Sequence, residues 1–329
     1  MDILVSFLPV VIFLLFLLYL DSFKLVKKND VFTSFFWGVF SASSAYYIIT
    51  TVIKNSTLSV HTYSQFIAPV VEECLKAVFL ILMIRKNKIG FIIDGAILGF
   101  SIGTGFAFME NLYYLHTLET TNMAIWIVRG FGTAVMHGGT TAIAAIIIMR
   151  SADDTKRSLA VTAKALLAAI LLHSIYNQFW VSPVLSAMII FITLPLLLNA
   201  VFRQSESSLR QWLEIEFDSE VSILRMIRTG LFSETRSGKY ISSLKEKFAP
   251  DIIVDILCYI RIYLELSLKA KSNMMLKEAG FPVNKDKEIK EKLTELEYIK
   301  KHIGKTGLLA ISPVLRMNRN DLWKFGQLQ

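Results

Sequence analysis

Six side chains of this sequence could take part in hydrolysis, and all six stand in apolar surroundings: Glu72, Glu73, Glu110, His137, His173 and Asn177. Lys76 and Asn111 sit beside them in the motifs EECLK (Glu72–Lys76) and MEN (Met109–Asn111). Splitting a peptide bond needs an activated water, a stabilised oxyanion and a proton for the leaving amine. Glu72 or Glu73 can serve as the base, with Lys76 orienting one of the pair. His137, His173 and Asn177 can act as acid or oxyanion donors. Glu110, His137 and His173 are also the residue types that hold zinc with one position open. No H-E-x-x-H helix is present, so residue types alone leave a metal-free and a zinc-dependent mechanism both open, and no cofactor other than zinc is suggested. Lys76 beside the glutamate pair supplies a positive charge where a cation would otherwise neutralise it, which speaks for the metal-free version. The bland alternative is that Lys76 neutralises a glutamate one turn away and the polar groups merely hold helices together.

The elements that must position these residues are membrane spans. Apolar residues make up 53% of the 329, charged residues only 19%, and the mean hydropathy is +0.50. Charge is sparse before Arg203 and dense after it. An all-α, polytopic membrane protein follows, with a membrane domain over 1–203 and a water-exposed α-helical domain over 204–329. About twenty apolar residues cross a bilayer as helix, and such stretches fall near 3–20, 31–53, 64–84, 91–115, 124–149, 160–180 and 184–202. The second is polar for a span (Ser41, Ser43, Ser44, Thr50, Thr51), but hydroxyl side chains can back-bond within a helix and suit helix contacts. No basic stretch precedes the first apolar run and no A-x-A-like site follows it, so it reads as an uncleaved span.

Loop charge orients the spans. Lys24, Lys27 and Lys28, then Arg85, Lys86 and Lys88, then Arg150, Lys156 and Arg157, and finally Arg203 fall on one side. Loops near 54–61, 116–122 and 182–183 carry almost none. The positive-inside rule makes the first set cytoplasmic, with the N-terminus outside and the C-terminal domain in the cytoplasm. The net charge of +8 therefore belongs largely to the bilayer, and no nucleic-acid partner is implied. Past Arg203, amphipathic helices are expected near 208–229, 239–249, 251–272 and 286–302, with breaks at Gly230, Ala249-Pro250 and Gly280-Phe281-Pro282. Nothing there looks catalytic, His302 reads as a surface residue, and no partner for this domain can be named. Cys74 and Cys258 stand in unrelated contexts without a C-x-x-C pair, which supports neither a disulfide framework nor a thiolate metal site.

Helix rise of ~1.5 Å per residue then sets depth. Glu72 and Glu73 lie roughly 12–14 Å, Glu110 roughly 8 Å, His137 roughly 20 Å and His173 roughly 10 Å from the outer surface, with Asn177 a turn nearer to it. Six polar groups thus share the outer half to the middle of the bilayer, where even the lenient insertion scale charges ~2.5–3.5 kcal/mol for an ionised carboxylate. At ~100° per residue, Gly95, Gly99, Gly103, Ala107 and Glu110 form one stripe, which lets a neighbouring backbone approach closely. The carboxylate ending that stripe needs a partner on the neighbouring helix. Asp94 and Arg129, near span ends, are expected to reach headgroups by snorkelling.

At these residues a family resemblance emerges. EECLK fits an E-E-x-x-K pattern, FAFMEN (Phe106–Asn111) fits F-x-x-x-E-N, and two spans with internal histidines follow. The ordered set, over residues 64–180, resembles the PrsW family of intramembrane proteases, part of a larger group that includes the CAAX-prenyl endopeptidases. The stretch GKTGLLA (Gly304–Ala310) is similar as well. CAAX enzymes carry His where Glu110 stands and Arg one residue beyond Lys76, so prenyl-protein processing is disfavoured. The resemblance implies an intramembrane endopeptidase of the cell membrane, cleaving a single-span, membrane-anchored protein near the outer face, typically an anti-sigma factor. The competing reading is a non-catalytic scaffold or a proton- or ion-coupled carrier, since the same groups would serve a proton relay. The absence of a detectable inverted repeat weighs against a carrier.

The loop charges yield a direct test. Single cysteines at Ser56 and Thr120 should react with an impermeant thiol reagent on whole cells, and cysteines at Asn87 and Ser151 should not. The opposite pattern would place the polar cluster in the cytoplasmic half.

Overall fold

A computed structural model describes residues 2–54, 59–118, 122–151, 159–283 and 287–315, together with Phe325 and Leu328. Lys156 and Arg157, counted above among the loop charges, and the labelling positions Ser56 and Thr120 lie outside them. The described residues are helical without a strand, and they form two compact units, Met1–Glu206 and Ser207–Gln329.

The first unit contains α1 (Asp2–Leu20), α2 (Lys28–Lys54), α3 (Ala68–Arg85), α4 (Ile92–Thr117), α5 (Ala134–Arg150), α6 (Leu159–Asn177) and the start of α7 (Pro183–Arg228). Two π-helical turns interrupt the pattern, Tyr63–Ile67 running into α3 and Val128–Thr133 running into α5. Among the described residues six helices are long and apolar enough to cross a membrane: α1, α2, α4, the stretch Met123–Arg150, α6 and α7. The third expected span, 64–84, is not among them. It is divided by the π turn at Ile67, and α3 carries Glu72, Glu73, Lys76 and Arg85 within 18 residues. The chain is a multi-pass membrane protein.

α4 is the axis of this unit, with nearly its whole N-terminal two-thirds buried. The glycine stripe faces α5. A Cβ on Gly99 would lie 2.8 Å from the Thr141 carbonyl oxygen, and one on Gly103 would lie 2.1 Å from that of His137. The opposite side of α4 is as tight, because a Cβ on Gly105 would meet the Phe35 carbonyl of α2 at 1.9 Å. The hydroxyls of α2 back-bond as expected, Ser43 to the Val39 carbonyl and Thr51 to that of Tyr47. Trp37 of α2 donates its indole N–H to the Leu75 carbonyl of α3 at 3.1 Å and stacks on Phe79. Asp94 departs from expectation. It does not snorkel but is buried at the start of α4, where it accepts the backbone N–H groups of Gly90 and Phe91 at 2.7 Å each. A carboxylate at a helix N-terminus satisfies donors that would otherwise be orphaned in an apolar setting.

The second unit has its own core, built on α8 (Arg236–Ser243), α9 (Pro250–Glu278) and α10 (Lys287–Leu315) around Ile256, Ile260, Tyr263, Leu296 and Ile311. The breaks fall where turn chemistry put them: Gly230 and Gly280 adopt left-handed φ of 79° and 81°, and Pro250 opens α9. The expected helix 208–229 is not separate. It continues the last apolar stretch as one 46-residue helix, α7, within which the unit boundary falls. Nothing in 203–208 (RQSESS) removes an N–H or forces a positive φ, so polarity alone did not end the helix. His302 is a surface residue, as read, and pairs with Asp255, which pushes its pKa up.

Close approach at Gly103 should be intolerant of any side chain. Gly103→Ala, facing rigid backbone, is expected to lower the unfolding temperature in detergent measurably, on the ~1–3 kcal/mol scale of overpacking. Gly95→Ala, whose nearest atoms are the side chains of Met149 and Ile89 at 3.2 and 3.3 Å, should change it little. Equal effects would mean that α4 and α5 are not held at the distance seen here.

Candidate active site

α3, α4, α5 and α6 each contribute to one buried cluster. On α3, Glu73 and Lys76 are spaced three apart on one face, and Lys76 Nζ donates to Glu73 Oε1 at 2.6 Å with both side chains almost wholly buried (0% and 2% exposed). The same oxygen accepts from His173 Nδ1 of α6 at 2.9 Å and from Thr140 Oγ1 of α5 at 3.1 Å. Glu73 is therefore the hub of three helices. Lys76 also lies 3.4 Å from His137 Nδ1 and 4.9 Å from the centre of the Phe106 ring.

The remaining groups close around this hub. His137 Nε2 faces Glu110 Oε2 at 2.9 Å, and the two histidine rings stand perpendicular with centroids 4.9 Å apart. An ionised carboxylate only accepts, so these contacts put a proton on His173 Nδ1 and on His137 Nε2. A neutral His173 then carries its lone pair on Nε2, 3.8 Å from Glu72 Oε2. Glu72 itself makes no hydrogen bond through its side chain among the described residues. Of the residues singled out in the sequence, Glu72, Glu73, Lys76, Glu110, His137 and His173 thus come together.

Asn177 and Asn111 are placed differently. Asn177 donates Nδ2 to the Ser64 carbonyl at 3.0 Å, tying the end of α6 to the π turn before α3. Acting on an oxyanion would require it to leave that carbonyl. Asn111 is buried and donates to the Ser6 carbonyl of α1 at 2.8 Å. Two contributors were not evident from sequence. For Thr140, one residue type at helical spacing does not reveal which carboxylate it meets. Arg129, expected at the headgroups, instead turns inward to Glu110 and Asn111.

Metal capacity can be tested on the donor set. Ligand atoms of Glu72, His137 and His173 lie within 4.8 Å of one another. The expected trio contained Glu110 in place of Glu72. Glu110 instead abuts His137 Nε2, so binding an ion through that nitrogen would replace this hydrogen bond. His173 is oriented as metal-binding histidines are, with a carboxylate on one ring nitrogen and the other nitrogen turned outward. The residues fit a divalent ion in type and spacing.

A helical membrane fold with paired carboxylates and histidines buried at its centre defines a candidate intramembrane hydrolase. The family model described as PrsW family intramembrane metalloprotease matches residues 28–201, more than half of the chain, and the chain belongs to that family. It is an intramembrane protease. Comparison with curated proteins and with solved structures gives no match.

The two glutamates should differ in what they hold. Glu73→Gln leaves Lys76 buried without its counter-charge and should cost about 3–5 kcal/mol, the scale for breaking a buried pair. Glu72→Gln, which breaks no side-chain hydrogen bond, should cost about 1 kcal/mol, the centre of the range for point substitutions. Denaturant unfolding of the purified variants in detergent separates them, and equal losses would contradict the hub role of Glu73.

Proposed function

We propose that the protein is an endopeptidase that hydrolyses a peptide bond of a single-span, membrane-anchored protein near the outer face, with the tail unit in the cytoplasm. One observation carries the assignment of roles: Glu73 Oε1 is saturated by three donors, whereas the Glu72 carboxylate beside it makes no hydrogen bond among the described residues and stands 3.8 Å from His173 Nε2. Glu73 orients. Glu72 takes the proton of the attacking water and hands one on to the leaving amine, as a carboxylate base does. His173, aligned by Glu73, directs Nε2 to the same place, and His137, held by Glu110 and Lys76, supplies the second imidazole. Lys76 keeps Glu73 ionised while adding positive charge where an oxyanion develops.

Glu72, His137 and His173 are the residues that would hold a metal ion, Glu72 through one carboxylate oxygen with the other left to act as base, and the ion when bound would supply Lewis acidity at the scissile carbonyl. The donor spacing supports this over the metal-free version, although Lys76 nearby adds a cation to the same cluster. The depth expected from helix rise, together with the loop charges, supports cleavage on the outer side. Substrates anchored by one span suit a site enclosed by helices, because they can reach it within the bilayer plane.

Purified protein should hold about one zinc per chain, the stoichiometry of a three-ligand site. Chelation should abolish cleavage of a single-span reporter protein, and added Zn²⁺ should restore it. Glu72→Gln and His173→Ala should lose metal and at least ~10²-fold in turnover together. Cleavage that survives exhaustive chelation would refute the metal role, and full activity of Glu72→Gln would refute the base assignment.

A further inference from the structure

Arg129 is a strongly basic side chain that the proposed protease mechanism does not use, yet it sits against the site. Its Nε donates to Asn111 Oδ1 at 2.9 Å, an Nη lies 3.4 Å from Glu110 Oε1, and its guanidinium carbon is 3.7 Å from the centre of the Tyr114 ring. The guanidinium is thus gripped from three sides by one stretch of α4. Glu110 is bridged in turn. Its Oε1 faces Arg129 and its Oε2 faces His137 Nε2. A guanidinium is always charged and presents a rigid fork of donors, so it fixes the plane of a carboxylate better than an ammonium does.

The backbone explains how Arg129 gets there. Arg129 and His137 are eight residues apart, which in an uninterrupted α-helix puts them roughly 80° apart around the axis. The turn Val128–Thr133 between them is π-helical, and such a turn takes up one extra residue through its i→i+5 bonds. Removing one residue's ~100° of rotation brings the two side chains to within roughly 20° of one face. Packing holds the turn in place. A Cβ on Gly130 would lie 1.9 Å from the Val5 carbonyl of α1, and one on Gly132 would lie 2.2 Å from Tyr176 Oη of α6.

We propose that Arg129 is a positioning residue of this protease, fixing Glu110 and through it the ring of His137, and that the π turn at Val128–Thr133 is the device that brings it to the site. The proposal rests on the protease reading and is open to a test that separates the two. Full-length wild type, Arg129→Gln, Arg129→Lys and Arg129→Ala are assayed on the single-span reporter, the last with and without free guanidinium ion. Arg129→Gln should lower kcat by about 10–100-fold, the scale for residues that hold an active-site ligand in place, with KM within about twofold of wild type by the same logic of a lost transition-state interaction. Arg129→Lys should fall between the two, and guanidinium should restore part of the kcat of Arg129→Ala.

Unchanged kcat with a lowered unfolding temperature would overturn the proposal and leave Arg129 as a clamp between the turn before α5 and α4. So would a loss of kcat in Arg129→Ala that guanidinium does not relieve. If Arg129→Ala does not fold, Arg129→Lys decides: kcat equal to wild type overturns the role, and a loss without change in KM supports it. If wild type itself does not cut the reporter, the protease reading is what has failed. The side-chain ¹⁵N signal of His137 then still reports on positioning. A shift of Nε2 in Arg129→Gln toward that in Glu110→Gln supports it, and an unmoved signal overturns it.

Discussion

The Glu73 carboxylate is the constraint on which the membrane unit depends. A charge with 2% of its side chain exposed is costly unless its partners are charged and well aimed. Here one oxygen collects Lys76 from its own helix, Thr140 from α5 and His173 from α6. If any of these helices slipped by a residue, a buried donor or the carboxylate would lose its partner. The hub therefore fixes the register of α3, α5 and α6 together, which apolar contact in lipid does poorly, because lipid tails are as apolar as the helix surfaces. Fixing the register is also what aligns His173 and leaves Glu72 uncommitted beside it, so stability and the arrangement of the site have one origin.

Close packing then supplies what the hub does not reach. α4 brings no partner to Glu73, and its position follows from glycines pressed on the backbones of α5 and α2. Gly103 rests on the carbonyl of His137, so the contact that fixes α4 also sets the start of the turn bearing the histidine. Two stripe residues further along, Glu110 reaches His137 Nε2. The carboxylate at the end of a glycine stripe has the neighbouring-helix partner that its burial demands.

The two units obey different solvents. On α1 and α7 large apolar side chains such as Ile3, Leu15, Leu196 and Leu197 face outward, an arrangement that suits lipid and would be an association hazard in water. In the second unit apolar residues gather inside and charges lie on the surface in pairs, as with Lys292 between Glu265 and Glu288. Even its buried Lys271 is matched, by Glu216 and Glu220.

Much of this was legible in the sequence, because it depends on periodicity and on the cost of polarity in lipid. The long apolar stretches, the glycine stripe of α4, the breaks at Gly230, Pro250 and Gly280, and the gathering of Glu72, Glu73, Lys76, Glu110, His137 and His173 all follow from residue type and spacing. Tertiary structure decided the rest. That Glu73 collects three donors while Glu72 makes no side-chain hydrogen bond depends on which helix lies opposite, and adjacent residues in a motif carry no label for that. That Asp94 caps a helix, Asn177 holds a backbone carbonyl and Arg129 turns inward depends on local backbone geometry. Spacing arguments assume a constant ~100° per residue, and a π turn breaks that assumption where Arg129 sits. The sequence by itself determined that Glu72, Glu73, Lys76, Glu110, His137 and His173 must find polar partners inside the membrane, since none could be left alone there, while only the packed helices determined that Asn177 stays out, that Thr140 and Arg129 come in, and which atom meets which.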